Sequence, residues 1–434
     1  MPELVLKNAR IDDERPLTDI AIDKGKISEI GTGLRGDIEV DLAGDVVVPT
    51  FIESHIHIDK ALLEKVRPNK EGTLMGAIKT TGELKKAFQD EEVYERSKQV
   101  LEMCLRHGST IIKAQPDTDP LARLVGFDAM MRLKEDYKEY VDMHVCAFAQ
   151  EGIVKAPTAY DFLDQALKKG ADSVAGCPYN ENDFEGTKQH VDAIFELAKK
   201  YDKDCSFHAD FGDNVDDMRY RSIDYIIKQT IENGYQGRVS VGHMTTLSSV
   251  DPKVRDDTAK RMAEAKINLI TLAATDMFLS GRNDEKAKRR GLLSPKPFIE
   301  KGVNHCFSTN NIQNGFTPFG NGDLLLIGNL YAHACYLGTP ADQRMLLDMI
   351  TRNPAKVLHI EDTYGLEEGK NADLVVLGSK HVGDIFIDPP IRRYIIKRGK
   401  MIYRSEHPEV MKWSGGRIDP NEPMEIRQPE VLRA

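Results

Sequence analysis

The run Ser54-His55-Ile56-His57-Ile58-Asp59 ends an apolar stretch that begins at Asp45-Val46-Val47-Val48-Pro49. Side chains alternate faces along an extended strand, so the imidazoles of His55 and His57 point the same way and can share a metal ion. An isolated His-x-His serves equally well as strand-end polarity, and the rest of the chain has to decide. Later apolar runs also end in polar groups: Gln150, His208 with Asp210, His243, and Asn310. Three histidines and one oxygen ligand with a position left open describe a catalytic metal site, because structural sites close every position with protein ligands. An ion held in that way lowers the pKa of its water and supplies hydroxide near neutral pH. His243, on a neighbouring strand, is placed to hydrogen-bond that hydroxide or the developing oxyanion.

Such a set converges only if the strands that carry it lie side by side. After the strand ending at His57, seven short apolar runs follow: 110–115, 143–150, 173–177, 205–208, 239–243, 267–272 and 303–309. Helical stretches such as 91–106, 186–200, 221–232 and 256–266 separate them. Eight strand–helix units predict an α/β fold, a (β/α)8 TIM-type barrel over 48–359, whose catalytic groups project from the C-terminal strand ends. Short strands with turn residues between them fill 1–47, where Asp23-Lys24-Gly25 is a hairpin signal, and they return over 360–405. The two ends are expected to form one small β-sandwich, and 406–434 reads as a C-terminal tail.

The composition excludes several classes of function. Lys plus Arg number 59 against 69 Asp plus Glu, a net charge of −10 without a concentrated basic tract, which argues against nucleic acid as a partner. The six cysteines are widely spaced within apolar runs and read as buried thiols of a reducing, cytoplasmic protein. Neither a signal segment nor a run of about 18 apolar residues is present, so a membrane partner is not expected. A homo-oligomer acting on a small molecule is the expected assembly.

Together with the His-x-His, the segments Phe148-Ala149-Gln150-Glu151-Gly152-Ile153, His208-Ala209-Asp210, Gly242-His243-Met244-Thr245-Thr246, Arg289-Arg290-Gly291 and Gly315-Phe316-Thr317-Pro318-Phe319-Gly320 resemble the cytosine deaminase branch of the amidohydrolase superfamily over about residues 1–405. The resemblance implies one divalent metal, zinc or iron, on His55, His57 and His208. It also implies that His243 assists the water, that Gln150 hydrogen-bonds the substrate, and that Phe316 closes over its ring. Asp210, Phe211 and Asn311 complete the expected substrate-binding set. The fourth strand ends Gly176-Cys177-Pro178-Tyr179 and offers no lysine to bridge a second metal.

Two positions depart from that branch. Phe211 stands where a glutamate shuttles a proton to the ring, a contribution worth about 10²–10⁴ in rate. Asn310 stands where an aspartate binds metal and acts as base, and a carboxamide cannot take a proton from water. Asn310 therefore reads as an engineered Asp→Asn change that silences turnover at both its metal-binding and its catalytic role. The expected activity is metal-dependent hydrolysis of a C–N bond in a small cyclic nitrogen compound, a cyclic amide or an N-substituted heterocycle. The alternatives are an aminohydrolase of a pyrimidine-like or triazine-like ring, and a metal-containing binding protein without turnover.

Overall fold

Alternating apolar and polar residues at the start of the chain produce four strands: β1 (Leu4–Ala9), β2 (Thr18–Asp23), β3 (Lys26–Gly31) and β4 (Ile38–Asp41). They form a sheet in the order β3-β2-β1-β4. The computed structural model describes residues 1–406. The chain divides into one unit made of Met1–Thr50 with the chain from Glu361 onward, and a second made of Phe51–Ile360. Apart from Glu406, the tail expected over 406–434 lies outside the described residues.

The apolar stretch that leads to His57 is divided at Thr50. Its first half, β5 (Val46–Pro49), pairs with a strand near the end of the chain, and its second half, β6 (Phe51–Ile56), opens an eight-stranded sheet. That sheet continues through β7 (Ser109–Ala114), β8 (Asp142–Ala149), β9 (Ser173–Gly176), β10 (Asp204–Ala209), β11 (Val239–His243), β12 (Asn268–Thr271) and β13 (His305–Phe307), each parallel to the one before. A parallel bridge between Ile56 and Asn310 closes it, so the (β/α)8 barrel is present. These strands read as nearly continuous apolar runs because helices cover them, and Val145, Val174, Phe207, Val241 and Leu269 are fully buried. The helix Asp90–Arg106 shows the matching pattern, burying Val93, Ser97, Val100, Leu101 and Cys104 at helical spacing.

Three strands near the end of the chain, β14 (Leu374–Leu377), β15 (Arg392–Lys397) and β16 (Lys400–Arg404), join β5 in the order β16-β15-β14-β5. This sheet and the N-terminal one share a core that includes Leu6, Ile20, Ile22, Val47, Leu374, Val376 and Ile396, which is the expected sandwich. Two hairpins in it turn through residue pairs with positive φ, Lys24-Gly25 (49° and 77°) and Arg398-Gly399 (45° and 77°), as type I′ turns require. Ile385-Phe386-Ile387, strand-like in sequence, is instead a turn: Pro389 and Pro390 cannot donate to a ladder, while Ile385 and Phe386 are buried. Among the described residues no helix is long and apolar enough to cross a membrane.

Candidate active site

The ends of β6, β10 and β11 bring four imidazoles to one point. Nε2 of His208 lies 3.0 Å from Nε2 of His55 and 2.9 Å from Nε2 of His57. His55, His208 and His243 form a buried group whose ligand atoms lie within 4.8 Å of one another. Two nitrogens at right angles on an ion about 2.1 Å away would be about 3.0 Å apart, so the separations suit a shared metal. The protonation states agree. Burial first, then neighbouring imidazoles and Lys60, hold His55, His57 and His208 well below the usual histidine range, in the neutral form that binds metals.

Neighbouring groups fix which nitrogen each ring presents. Nδ1 of His57 donates to the backbone carbonyl of Gln115 at 2.7 Å, which leaves Nε2 free for a metal. Nδ1 of His243 donates to Asp276 Oδ1 at 2.6 Å, and the other oxygen of Asp276 accepts from the Leu272 amide at 3.0 Å. Asp276 is fully buried in the first turn of the helix Ala273–Leu279; burial raises its pKa and His243 pulls it back. The backbone is strained here, with left-handed φ at Asp210 (48°), His243 (72°), Met244 (60°) and Asn310 (65°), as is common where side chains are held for chemistry. Asn tolerates this conformation better than most residues. Asn310 also closes the barrel, its amide donating to the His55 carbonyl at 3.1 Å and its carbonyl accepting from the His57 amide at 2.8 Å. Its side-chain oxygen is buried without a hydrogen-bond partner among the described residues, as suits a neutral oxygen ligand beside the imidazoles.

Above these groups is a cavity whose wall includes Gln150, Phe211, Asn311 and Phe316, four of the five residues expected to meet substrate. Oε1 of Gln150 accepts from Lys60 Nζ at 3.2 Å, and its amide nitrogen lies 3.4 Å from Cys177 Sγ. Phe211 stacks flat on His243, with ring centroids 4.2 Å apart and planes at 4°. Asn311 accepts from Asn314 at 2.8 Å. The fifth expectation, Asp210, is corrected: its carboxylate accepts from the amide and hydroxyl of Ser222, both at 2.7 Å, anchors that loop, and does not line the cavity. Burial raises its pKa to about 6.

Lys60, Tyr179 and Thr275 also line the cavity, and Asp276 orients His243, although sequence reading singled out none of them for this role. A lysine directly after an otherwise buried His-x-His-x-Asp was the available signal for Lys60. Gln115 contributes through its backbone. Lys113 is buried, and His190 pairs with Glu181 at 2.7 Å away from the site.

A model of the amidohydrolase family matches residues 46–402. The chain is 28% identical over 413 residues to the N-isopropylammelide isopropyl amidohydrolase of Pseudomonas sp. (strain ADP), covering 93% of this chain and 98% of that protein. It is 23% identical over 392 residues to the pterin deaminase of Rhizobium rhizogenes, covering 89% and 88%. Among solved structures, the 5-methylcytosine deaminase of Klebsiella pneumoniae liganded with 5-fluorocytosine superposes with a TM-score of 0.88 at 26% identity, covering 94% of this chain and 99% of that one.

Proposed function

The chain belongs to the amidohydrolase family, and on that premise we propose that it is a metal-dependent hydrolase that breaks a C–N bond in a small nitrogen heterocycle. The observation that carries this reading is the convergence of neutral Nε2 atoms at 2.9–3.0 Å beneath a cavity walled by Phe211 and Phe316. One divalent ion, zinc or iron, on His55, His57, His208 and the Asn310 side-chain oxygen would activate water and polarise the carbon it attacks.

The chain's own residues do the rest. Gln150 orients the ring, and Phe211 and Phe316 cover its faces and exclude bulk water. His243, held by Asp276 through Nδ1, accepts a proton from the attacking water at Nε2 and returns it to the departing nitrogen. Asn310 cannot perform that transfer, so the His243–Asp276 pair is the route for the proton.

The test loads the protein with zinc or iron, measures metal content, and follows hydantoins, triazines and pyrimidines by mass spectrometry, with Asn310→Asp in parallel. One bound ion and loss of a C–N bond from at least one ring are expected. No bound ion, or no ring cleaved by either protein, would sink the reading. Ring opening of a cyclic amide, or release of a substituted amine from an N-substituted ring, marks the hydrolase, and release of ammonia marks a deaminase; cytosine turnover by Phe211→Glu in the Asn310→Asp background would show that one proton shuttle divides the two. The absence of any carboxylate from the described cavity wall favours a second reading, a binding protein. A ring that raises the melting temperature yet is never consumed would establish it.

A further inference from the structure

We propose that Lys60 selects the substrate by charge: the cavity takes a heterocycle that carries a delocalised oxyanion of the cyclic-imide type, and Lys60 Nζ holds that oxygen. This rests on the metal-dependent hydrolase reading and names the substrate class for it.

The cavity's described lining contains one ammonium group and no carboxylate. Both positions at which the resembled branch has an acid are neutral here, Phe211 and Asn310. Lys60 is 1% exposed and lies beneath the rings of Phe148 and Phe316, 5.3 Å from each centroid. Of its three N–H donors, one reaches Asp117 Oδ1 at 2.8 Å and one reaches Gln150 Oε1 at 3.2 Å, which leaves one for a ligand. Its backbone is pinned as well, since the Lys60 carbonyl accepts from Asn314 at 3.0 Å.

The contact with Gln150 has a consequence for recognition. The amide oxygen accepts from Lys60 and one N–H of the amide nitrogen reaches Cys177 Sγ at 3.4 Å, so the second N–H is the group left to meet substrate, and the wall presents donors from two adjacent side chains. Two donors side by side match the two lone pairs of one delocalised oxyanion. They match a neutral N–H edge poorly, since donor would then face donor. A structural ion pair with Asp117 explains the burial of Lys60, but it does not require the ammonium to line the cavity.

The test measures binding of barbiturate, an anion at neutral pH, and uracil, a neutral ring of similar size, by calorimetry to the zinc-loaded protein. Wild type is expected to prefer barbiturate by at least about tenfold, the worth of one charge-assisted hydrogen bond. Lys60→Met should abolish the preference, and Lys60→Arg should keep part of it. If Lys60→Met leaves Asp117 unpaired and fails to fold, Lys60→Met combined with Asp117→Asn removes both charges. Lys85 would still be paired with Asp119 and Glu151, each at 2.8 Å. Equal binding of the two rings by wild type, binding of neither, or a preference that survives the loss of Lys60 would overturn the proposal. Zinc content and C–N cleavage, read separately, report on the hydrolase reading whatever the charge preference turns out to be.

Discussion

Two sets of buried ionisable groups flank one cavity, and burial has had opposite effects on them. His55, His57 and His208 are driven neutral by loss of water, and their lone pairs point at one another without a charged partner. On the other side, burial alone would depress Lys85, but Asp117, Asp119 and Glu151 override it and hold its pKa well above the usual range. Burial likewise pushes Asp117 up, and Lys60 and Lys85 bring it below its ordinary value. Lys85 is complete in itself, with all three carboxylate partners supplied by the chain, while Lys60 at the edge of the web keeps one donor for the cavity. The histidine cluster is complete only with a cation. The difference teaches where to look for a metal: at the buried groups that burial has left neutral and converging, not at those it has left charged and paired.

Breaking the histidine side should have the largest effect. His208→Ala is expected to strip the ion and lower turnover by more than about 10³-fold; full metal occupancy by mass spectrometry in that variant would erase the contrast. Asp276→Asn sharpens it, since the metal should stay while kcat falls on the order of 10²–10⁴, because His243 loses the group that sets its tautomer. Unchanged kcat would mean that His243 moves no proton.

On the lysine side, Lys85→Met takes the lysine away from Asp119 and Glu151, leaves Asp117 with Lys60 alone, and should cost about 3–5 kcal/mol in denaturant unfolding. A shift well below that would show the web to be dispensable. The adjacent Lys86, exposed and paired with Glu83 at 2.7 Å, is the control: Lys86→Met should leave the unfolding midpoint in place, because solvent screens exposed pairs.

The sequence carried the parts of this molecule that depend on local spacing. Period-two alternation placed His55 and His57 on one face, and apolar runs at regular intervals gave eight strands in order. It misplaced Asp210, two residues beyond His208, because alternation holds only inside a strand; β10 ends at Ala209, and the left-handed backbone of Asp210 turns its carboxylate to Ser222. It passed over Lys60 and Asp276 because their roles lie in distant pairings. Lys60 meets Asp117 and Gln150 across 57 and 90 residues, and Asp276 meets His243 across 33. A charged residue in an apolar run signals burial, but its partner is written elsewhere in the chain.

The closure of the barrel bears on how the protein comes to exist at all. The last seam is stitched by His55, His57 and Asn310, and the His55 amide also donates to the Ser308 hydroxyl, 253 residues away in sequence. Bringing such remote segments together carries a loop-closure entropy that long-range contacts repay only once formed, which slows folding. Residues that would ligate the ion are the same residues that join the first strand to the eighth. The metal site and the seam thus share residues, and a nascent chain still short of residue 310 lacks both the fourth ligand and the last stitch of the barrel.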